Sequence, residues 1–232
     1  NHLEYLLKKN KFKQNPKFIL SESVFSMDGD APDLQLMAEL KGKHGFFWIV
    51  DEAHALGWYG VQGSGLVEAA GVAESVDILV GTLGKALGSQ GAYALFHEGC
   101  WREYLINFAE DFVYSTYLAP ASVGAALVAV GLVQEMCGLR TALQDGSRRF
   151  RKILQETVPD VPDQDSPIVP VVLGDVGRTG LAHQMLRQSG ILTGCIRPPT
   201  VPQETSRLRI SLKADLDFEV VAGQVVSVLD DL

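Results

Sequence analysis

Two stretches of this 232-residue chain end in side chains that could do proton and carbonyl chemistry. Phe46-Phe47-Trp48-Ile49-Val50 runs into Asp51-Glu52-Ala53-His54. Ile78-Leu79-Val80-Gly81 runs into Thr82-Leu83-Gly84-Lys85, and Ala86-Leu87-Gly88-Ser89-Gln90-Gly91 keeps the lysine among small residues. Both apolar runs read as buried parallel strands, and ligands of open α/β sheets bind at the carboxyl ends of such strands. An acid, an imidazole, a hydroxyl and an amine therefore arrive at one edge. A lysine forms a Schiff base only after losing its proton near neutral pH, which burial and a nearby cationic ring favour. A pyridinium nitrogen keeps its proton beside a buried carboxylate, and that proton makes the ring an electron sink. Lys85 and Asp51 suit those two jobs. Each also has an ordinary structural use: a strand-end aspartate caps helices, a lysine between glycines sits in a solvated turn, and His54 can be a satisfied loop histidine.

The elements that must position these groups alternate between short apolar runs and helical patterns, the signature of βα units and a mostly parallel sheet. The pattern predicts strands at 18–23, 46–50, 78–81 and 91–96, all apolar enough to be buried on both faces. It predicts helices at 1–9, 33–43 and 99–108, the second opened by Pro32 and Asp33. The uncharged run 114–134 predicts a buried core helix over 119–137, because Ser115, Thr116, Pro120 and Ser122 make it a poor membrane span. From about residue 138 the character changes. A charged amphipathic helix (141–158) is followed by a strand (168–173), a helix (177–189), strands at 191–196 and 207–212, and a helix (217–229). The expected organisation is an α/β large domain with its interdomain helix at 1–137 and a smaller α+β domain at 138–232.

Composition narrows the function classes. Twenty basic against 28 acidic residues give a net charge of −8 and a pI near 5.1, which disfavours nucleic acid and anionic membrane as partners. Cys100, Cys137 and Cys195 are widely spaced and form no CxxC pair, so neither a metal site nor a disulfide framework is expected. The simplest setting is a reducing cytoplasm, and the start of the chain lacks the apolar core of a secretory signal.

Five strings give these residues a family context. Phe25-Ser26-Met27-Asp28-Gly29-Asp30, Asp51-Glu52-Ala53-His54, Gly81-Thr82-Leu83-Gly84-Lys85, Tyr114-Ser115-Thr116 and Arg197-Pro198-Pro199-Thr200-Val201-Pro202 occur in that order. The chain thereby resembles the α-oxoamine synthases, fold-type I enzymes dependent on pyridoxal 5′-phosphate (PLP). The resemblance implies the PLP-dependent transferase fold, with the N-terminal part of the large domain missing. It implies that Lys85 carries the cofactor, Asp51 pairs with the pyridine nitrogen, and His54 and Ser26 meet the ring's phenolic oxygen. Thr82 would bond the phosphate, and Ser115 and Thr116 would reach the phosphate in the neighbouring subunit of a homodimer with shared sites. Glu22 lies at a further family position and has an equally good structural explanation.

The implied activity is a decarboxylative condensation of an amino acid with an acyl thioester, on coenzyme A or a carrier protein. Arg197 and Thr200 stand at substrate positions. The form of their motif resembles that of the biotin-pathway members, which join L-alanine to a pimeloyl group, and an arginine fork suits a carboxylate. The ordinary structural alternative is that Arg197 bridges a surface acid, while Arg207 and Arg209 read as structural or solvated. A glycine- or serine-using acyl-CoA C-acyltransferase and a non-catalytic partner subunit are the alternatives. The glycine-rich phosphate loop and ring-stacking residue that family members carry upstream are not found before Phe18.

Overall fold

The computed structural model describes residues 2–9 and 15–232, which form two compact units. Unit 1 holds the chain up to Val24 together with Ala31–Met136, and unit 2 holds Phe25–Asp30 together with Cys137–Leu232. A single cut near residue 138 therefore misses one feature: six residues from the N-terminal half belong with the C-terminal unit.

Unit 1 is built on a four-stranded sheet of β1 (Phe18–Glu22), β2 (Phe47–Asp51), β3 (Ile78–Thr82) and β4 (Ala92–Phe96), in the order β1-β2-β3-β4. The first three run parallel and β4 pairs antiparallel to β3. Along β2 the side chains alternate, so Trp48 and Val50 are buried on one face and Asp51 lies on the other. Trp48 is locked by its indole N–H donating to Ser21 Oγ at 3.1 Å and by its backbone N–H donating to Asp77 Oδ2 at 2.7 Å.

Helix α1 is His2–Lys9, and α2 is Leu34–His44. Helix α2 buries Leu34, Met37 and Leu40 at three-residue spacing in the core that contains Trp48 and Val50. Asp33 caps it by accepting the Leu36 N–H at 2.9 Å, and Gly45 ends it in the left-handed conformation. The remaining helices of the unit are α3 (Leu66–Ala70), α4 (Gly99–Phe108), α5 (Glu110–Val113) and α6 (Pro120–Glu135).

Two expectations about burial need correction. β1 and β4 are the edge strands of the sheet and expose part of their apolar side chains, Leu20 at 72 % and Leu95 at 57 %. An apolar run identifies a strand without saying whether it will be central. Helix α6 forms close to where its composition places it, yet Ala126 is its one buried residue among those described. A helix apolar on every side carries no periodic signal of which face packs. No single helix among the described residues is long and apolar enough to cross a membrane; α6 and the next helix together have the length and composition of a broken span, bent by 74°.

Unit 2 contains α7 (Cys137–Thr157), β5 (Ile168–Gly174), α8 (Val176–Gln188), β6 (Gly194–Ile196), β7 (Ser206–Ser211) and α9 (Phe218–Asp230). Its three strands pair antiparallel in the order β5-β7-β6. β6 is shorter than the apolar run 191–196 suggests, because pairing with β7 begins only at Gly194. Helices α7 and α9 approach closely at Gly146, where a Cβ would fall 2.4 Å from the Phe218 ring. Arg151 is buried on α7 and donates from Nη2 to the Ser166 and Ile168 carbonyls at 3.1 and 2.8 Å, and from Nε to the Pro162 carbonyl at 3.2 Å. The guanidinium thus ties the helix to the chain entering β5.

Candidate active site

Strand register decides which side chains share a surface. Glu22 pairs with Asp51, and Asp51 with Val80. Residues in register point the same way, so Glu22, Asp51, Val80 and Thr82 lie on one face at the C-terminal edge of the parallel strands. Glu52, one residue beyond Asp51, falls on the opposite face.

The turn after β2 is shaped by its own acids. Asp51 Oδ1 accepts the Ala53 N–H at 2.7 Å, closing an Asx-type turn. The Glu52 carbonyl accepts from Ala55 and Leu56 at 2.9 and 3.0 Å. This winds the chain so that His54 faces the next strand's loop, and His54 Nε2 lies 3.0 Å from Lys85 Nζ. Two residues from separate strand ends, 31 positions apart in sequence, are therefore in hydrogen-bond contact.

The loop carrying Lys85 is closed at its base. Leu83 N–H donates to the Gly91 carbonyl at 2.9 Å, Ser89 N–H to Leu83 at 2.8 Å, and Gly88 N–H to Lys85 at 3.0 Å. Gly91 has φ +113, and a Cβ there would fall 2.6 Å from Leu118 Cδ1, so the loop needs glycine on both conformational and packing grounds. Thr82 Oγ1 donates to the Gly91 carbonyl at 3.2 Å and accepts the Gly84 N–H at 3.3 Å. Ser89 Oγ donates to the Ser122 carbonyl at 2.6 Å, joining the loop to the start of α6.

Glu52 is the residue of this turn whose importance sequence reasoning missed. It is fully buried, and its two carboxylate oxygens accept the Leu66 and Val67 N–H groups at 2.8 and 2.7 Å. Those are the first amides of α3, whose N-cap position is Gly65 and offers no side chain. Burial pushes the Glu52 carboxyl above the usual glutamate range, against the pull of those backbone amides and of Ser23. Tyr93 also lies on this face, its ring so close over Gly81 that a Cβ there would fall 2.3 Å from the hydroxyl. Burial raises its phenol first, and the negative charges of Glu52 and Asp51 raise it further. The sequence signal for Glu52 was its place inside Asp51-Glu52-Ala53-His54.

Other residues singled out in the sequence are placed separately. Ser115 and Thr116 are exposed in the short stretch between α5 and α6, flanked by Tyr114 and Tyr117 at 85 % and 81 % exposed. Ser26 belongs to unit 2. Arg197 and Thr200 follow β6 in the same unit, both exposed, in a turn closed by the Thr200 N–H on the Arg197 carbonyl at 3.1 Å.

This arrangement has close counterparts. An 8-amino-7-oxononanoate synthase from Chlorobaculum parvum is 44 % identical over 221 residues, which is 95 % of this chain and 56 % of that protein. The chain thus spans a little over half the length of the curated relatives it matches. A serine palmitoyltransferase from S. paucimobilis, solved with a bound PLP–myriocin aldimine, superposes with a TM-score of 0.91 at 26 % identity, over 99 % of this chain and 59 % of that one. The 8-amino-7-oxononanoate synthase of Francisella tularensis superposes with a TM-score of 0.83 at 28 % identity, over 99 % and 65 %. Residues 1–224 match the family model for class I and II aminotransferases. With that match running through both units, the chain belongs to the class I and II aminotransferase family, with the fold of type I PLP-dependent transferases.

Proposed function

We propose that this chain is the lysine-bearing part of a PLP-dependent acyltransferase that joins L-alanine to a pimeloyl thioester, on coenzyme A or a carrier protein, releasing CO2 and the thiol to give 8-amino-7-oxononanoate for biotin synthesis. The carrying observation is the 3.0 Å contact of Lys85 Nζ with His54 Nε2 at the sheet edge where Asp51 and Thr82 also emerge. The names of relatives at 44 % and 43 % identity support the choice of reaction.

The residues present fit PLP. Asp51 has one oxygen anchored by the Ala53 N–H, while the other accepts no hydrogen bond among the described residues, as a partner for a ring N–H requires. Asp51 would hold the proton on the pyridine nitrogen, and His54 with Ser26 would donate to the phenolic oxygen. Thr82 Oγ1 would turn to the phosphate. When bound, the ring supplies an electron sink for the bonds at the amino acid's Cα. Lys85 would be the attachment point, and its Nζ would serve as the base for the Cα proton. Arg197 and Thr200 would hold substrate, the guanidinium taking a carboxylate with both fork nitrogens.

Ser115 and Thr116 would serve the neighbouring subunit's cofactor. The exposed apolar side chains around them, from Phe112 through Leu132, support a second copy covering this stretch. A serine- or glycine-using condensation is the second reading, favoured by the close superposition on serine palmitoyltransferase.

The test is a visible spectrum of the purified protein with PLP, before and after L-alanine, glycine or L-serine, alongside thiol release from a pimeloyl thioester. We expect a cofactor band that L-alanine shifts most, and its abolition in Lys85→Ala. If Lys85→Ala kept the band after dialysis and still turned over, the assignment would be wrong.

A further inference from the structure

Residues Phe25–Asp30 leave unit 1 after Val24, return to it at Ala31, and in between are gripped by unit 2. The segment closes on itself through the Phe25 N–H on the Asp30 carbonyl at 2.8 Å and the Gly29 N–H on the Phe25 carbonyl at 2.9 Å. Three side chains of unit 2 then hold it. Arg207 Nη1 donates to the Asp28 carboxylate, Arg209 Nε donates to the Ser26 carbonyl, and Gln164 Nε2 donates to the Asp28 carbonyl at 2.7 Å. Gly29, at φ +69, presses so closely on β5 that a Cβ would lie 2.6 Å from the Ile168 carbonyl oxygen and from Ser166 Oγ.

Arg207 and Arg209 are alternate residues on β7, the central strand of the small sheet, so they share a face. Gly194 on β6 pairs with Arg209, and its missing side chain leaves room there, a Cβ falling 3.3 Å from that of Arg209. Arg207 is 8 % exposed and Asp28 52 % exposed, so one end of the ion pair is dry and the other wet. Withdrawing Asp28 would leave a buried guanidinium short of its acid, the costly way to break such a pair.

We infer that Arg207 is a positioning residue for Ser26: paired with Asp28, it latches the Phe25–Asp30 turn to β7 and thereby fixes the serine two residues away. The latch itself stands on the contacts within unit 2, while its bearing on the cofactor rests on the reading of Ser26 as a contact of the PLP ring. Ser26 thus takes its position from the small sheet.

Two measurements on the purified chain test this. In hydrogen exchange without PLP, Asp28→Ala and Arg207→Met should each speed exchange of the Phe25 and Gly29 amides by about tenfold. The double variant should add little to either, and Arg207→Lys should restore part of the protection. With PLP bound, Asp28→Ala should move the pH midpoint of the cofactor's visible band in the same direction as Ser26→Ala. Asp28→Asn keeps a neutral acceptor for the Arg207 guanidinium and is the milder variant should Asp28→Ala or Arg207→Met fail to fold; it should raise the same exchange in the same sense.

Unchanged exchange in Asp28→Ala would overturn the latch. Faster exchange with an unmoved band, in a protein where Ser26→Ala does move it, would overturn positioning and leave a purely structural tie. A band insensitive to Ser26→Ala would overturn the ring contact, and no band in the unsubstituted chain would overturn the functional reading itself; in both cases the exchange data still decide the latch.

Discussion

Glu52→Gln isolates a single buried oxygen. In the native protein both carboxylate oxygens accept amides of α3, at 2.8 and 2.7 Å, and the side chain is fully buried. The amide variant keeps one acceptor and turns an NH2 toward the other backbone N–H. One charge-assisted bond, about 1.5–3 kcal/mol, is lost and two donors are left facing each other. We expect Glu52→Gln to cost about 2 kcal/mol at pH 7, and Glu52→Ala, which strips both amides, about twice that. Gly65 offers no relief, because any side chain there would meet Glu52 Oε2 at 1.9 Å.

The pH dependence gives the experiment its discrimination. Burial raises the folded-state value of Glu52 above the ordinary 4.5, so its titration contributes stability that is fully present below 4.5 and lost as pH rises through the raised folded value. Glutamine does not titrate. The gap between the two proteins should therefore widen on acidification across that window, at up to about 1.4 kcal/mol per pH unit. Urea midpoints at pH 4, 5.5, 7 and 8.5, with unchanged slopes, would measure it. A variant equal to the parent at pH 7 would refute the account of Glu52 as a buried remote cap, and a gap that narrows as the pH falls would refute the burial-raised titration.

Two further outcomes follow from packing in unit 2. Arg151→Met should lower stability by about 3 kcal/mol in urea titration, because it removes the guanidinium from the Pro162 and Ile168 carbonyls and leaves the Ser166 carbonyl only the Ser147 hydroxyl. Gly146→Ala should gain about 1 kcal/mol of helix propensity and still be destabilising, since the new methyl lies 2.4 Å from the Phe218 ring. Thermal denaturation of that variant with and without Phe218→Leu would show the clash as partial rescue.

Local chemistry made much of this fold readable. Asp33 and Gly45 bracket α2 as their types suggest, and the apolar run at 46–50 forms β2, although Trp48 and Val50 on one face are fully buried and the other face is only partly so. Asp51 and Lys85 come near one edge for a related reason: Asp51 ends β2, Lys85 follows the end of β3 at Thr82, and parallel strands end together. What stayed hidden depends on distant partners. Helix α3 is five residues long with no periodic stripe, and its cap comes from Glu52, fourteen positions before Leu66. Which strands would be edges, and which side of α6 would pack, depend on neighbours that an apolar run does not specify. The capture of Phe25–Asp30 by β7 joins residues too far apart for any window of sequence to relate.

That distance bears on how the protein is made. Asp28 and Ser26 precede their guanidinium partners Arg207 and Arg209 by 179 and 183 residues. At ordinary translation speeds the intervening chain takes on the order of ten to thirty seconds to emerge from a ribosome. Until Gln164 and β5 emerge the early turn has only its own two backbone bonds, and until β7 emerges it lacks both guanidinium contacts. Contacts of such long sequence separation carry a large closure cost and are expected among the last to form. Ser26 would then be seated only after β7 has emerged, and a ribosome stalled before β7 would carry an unseated serine.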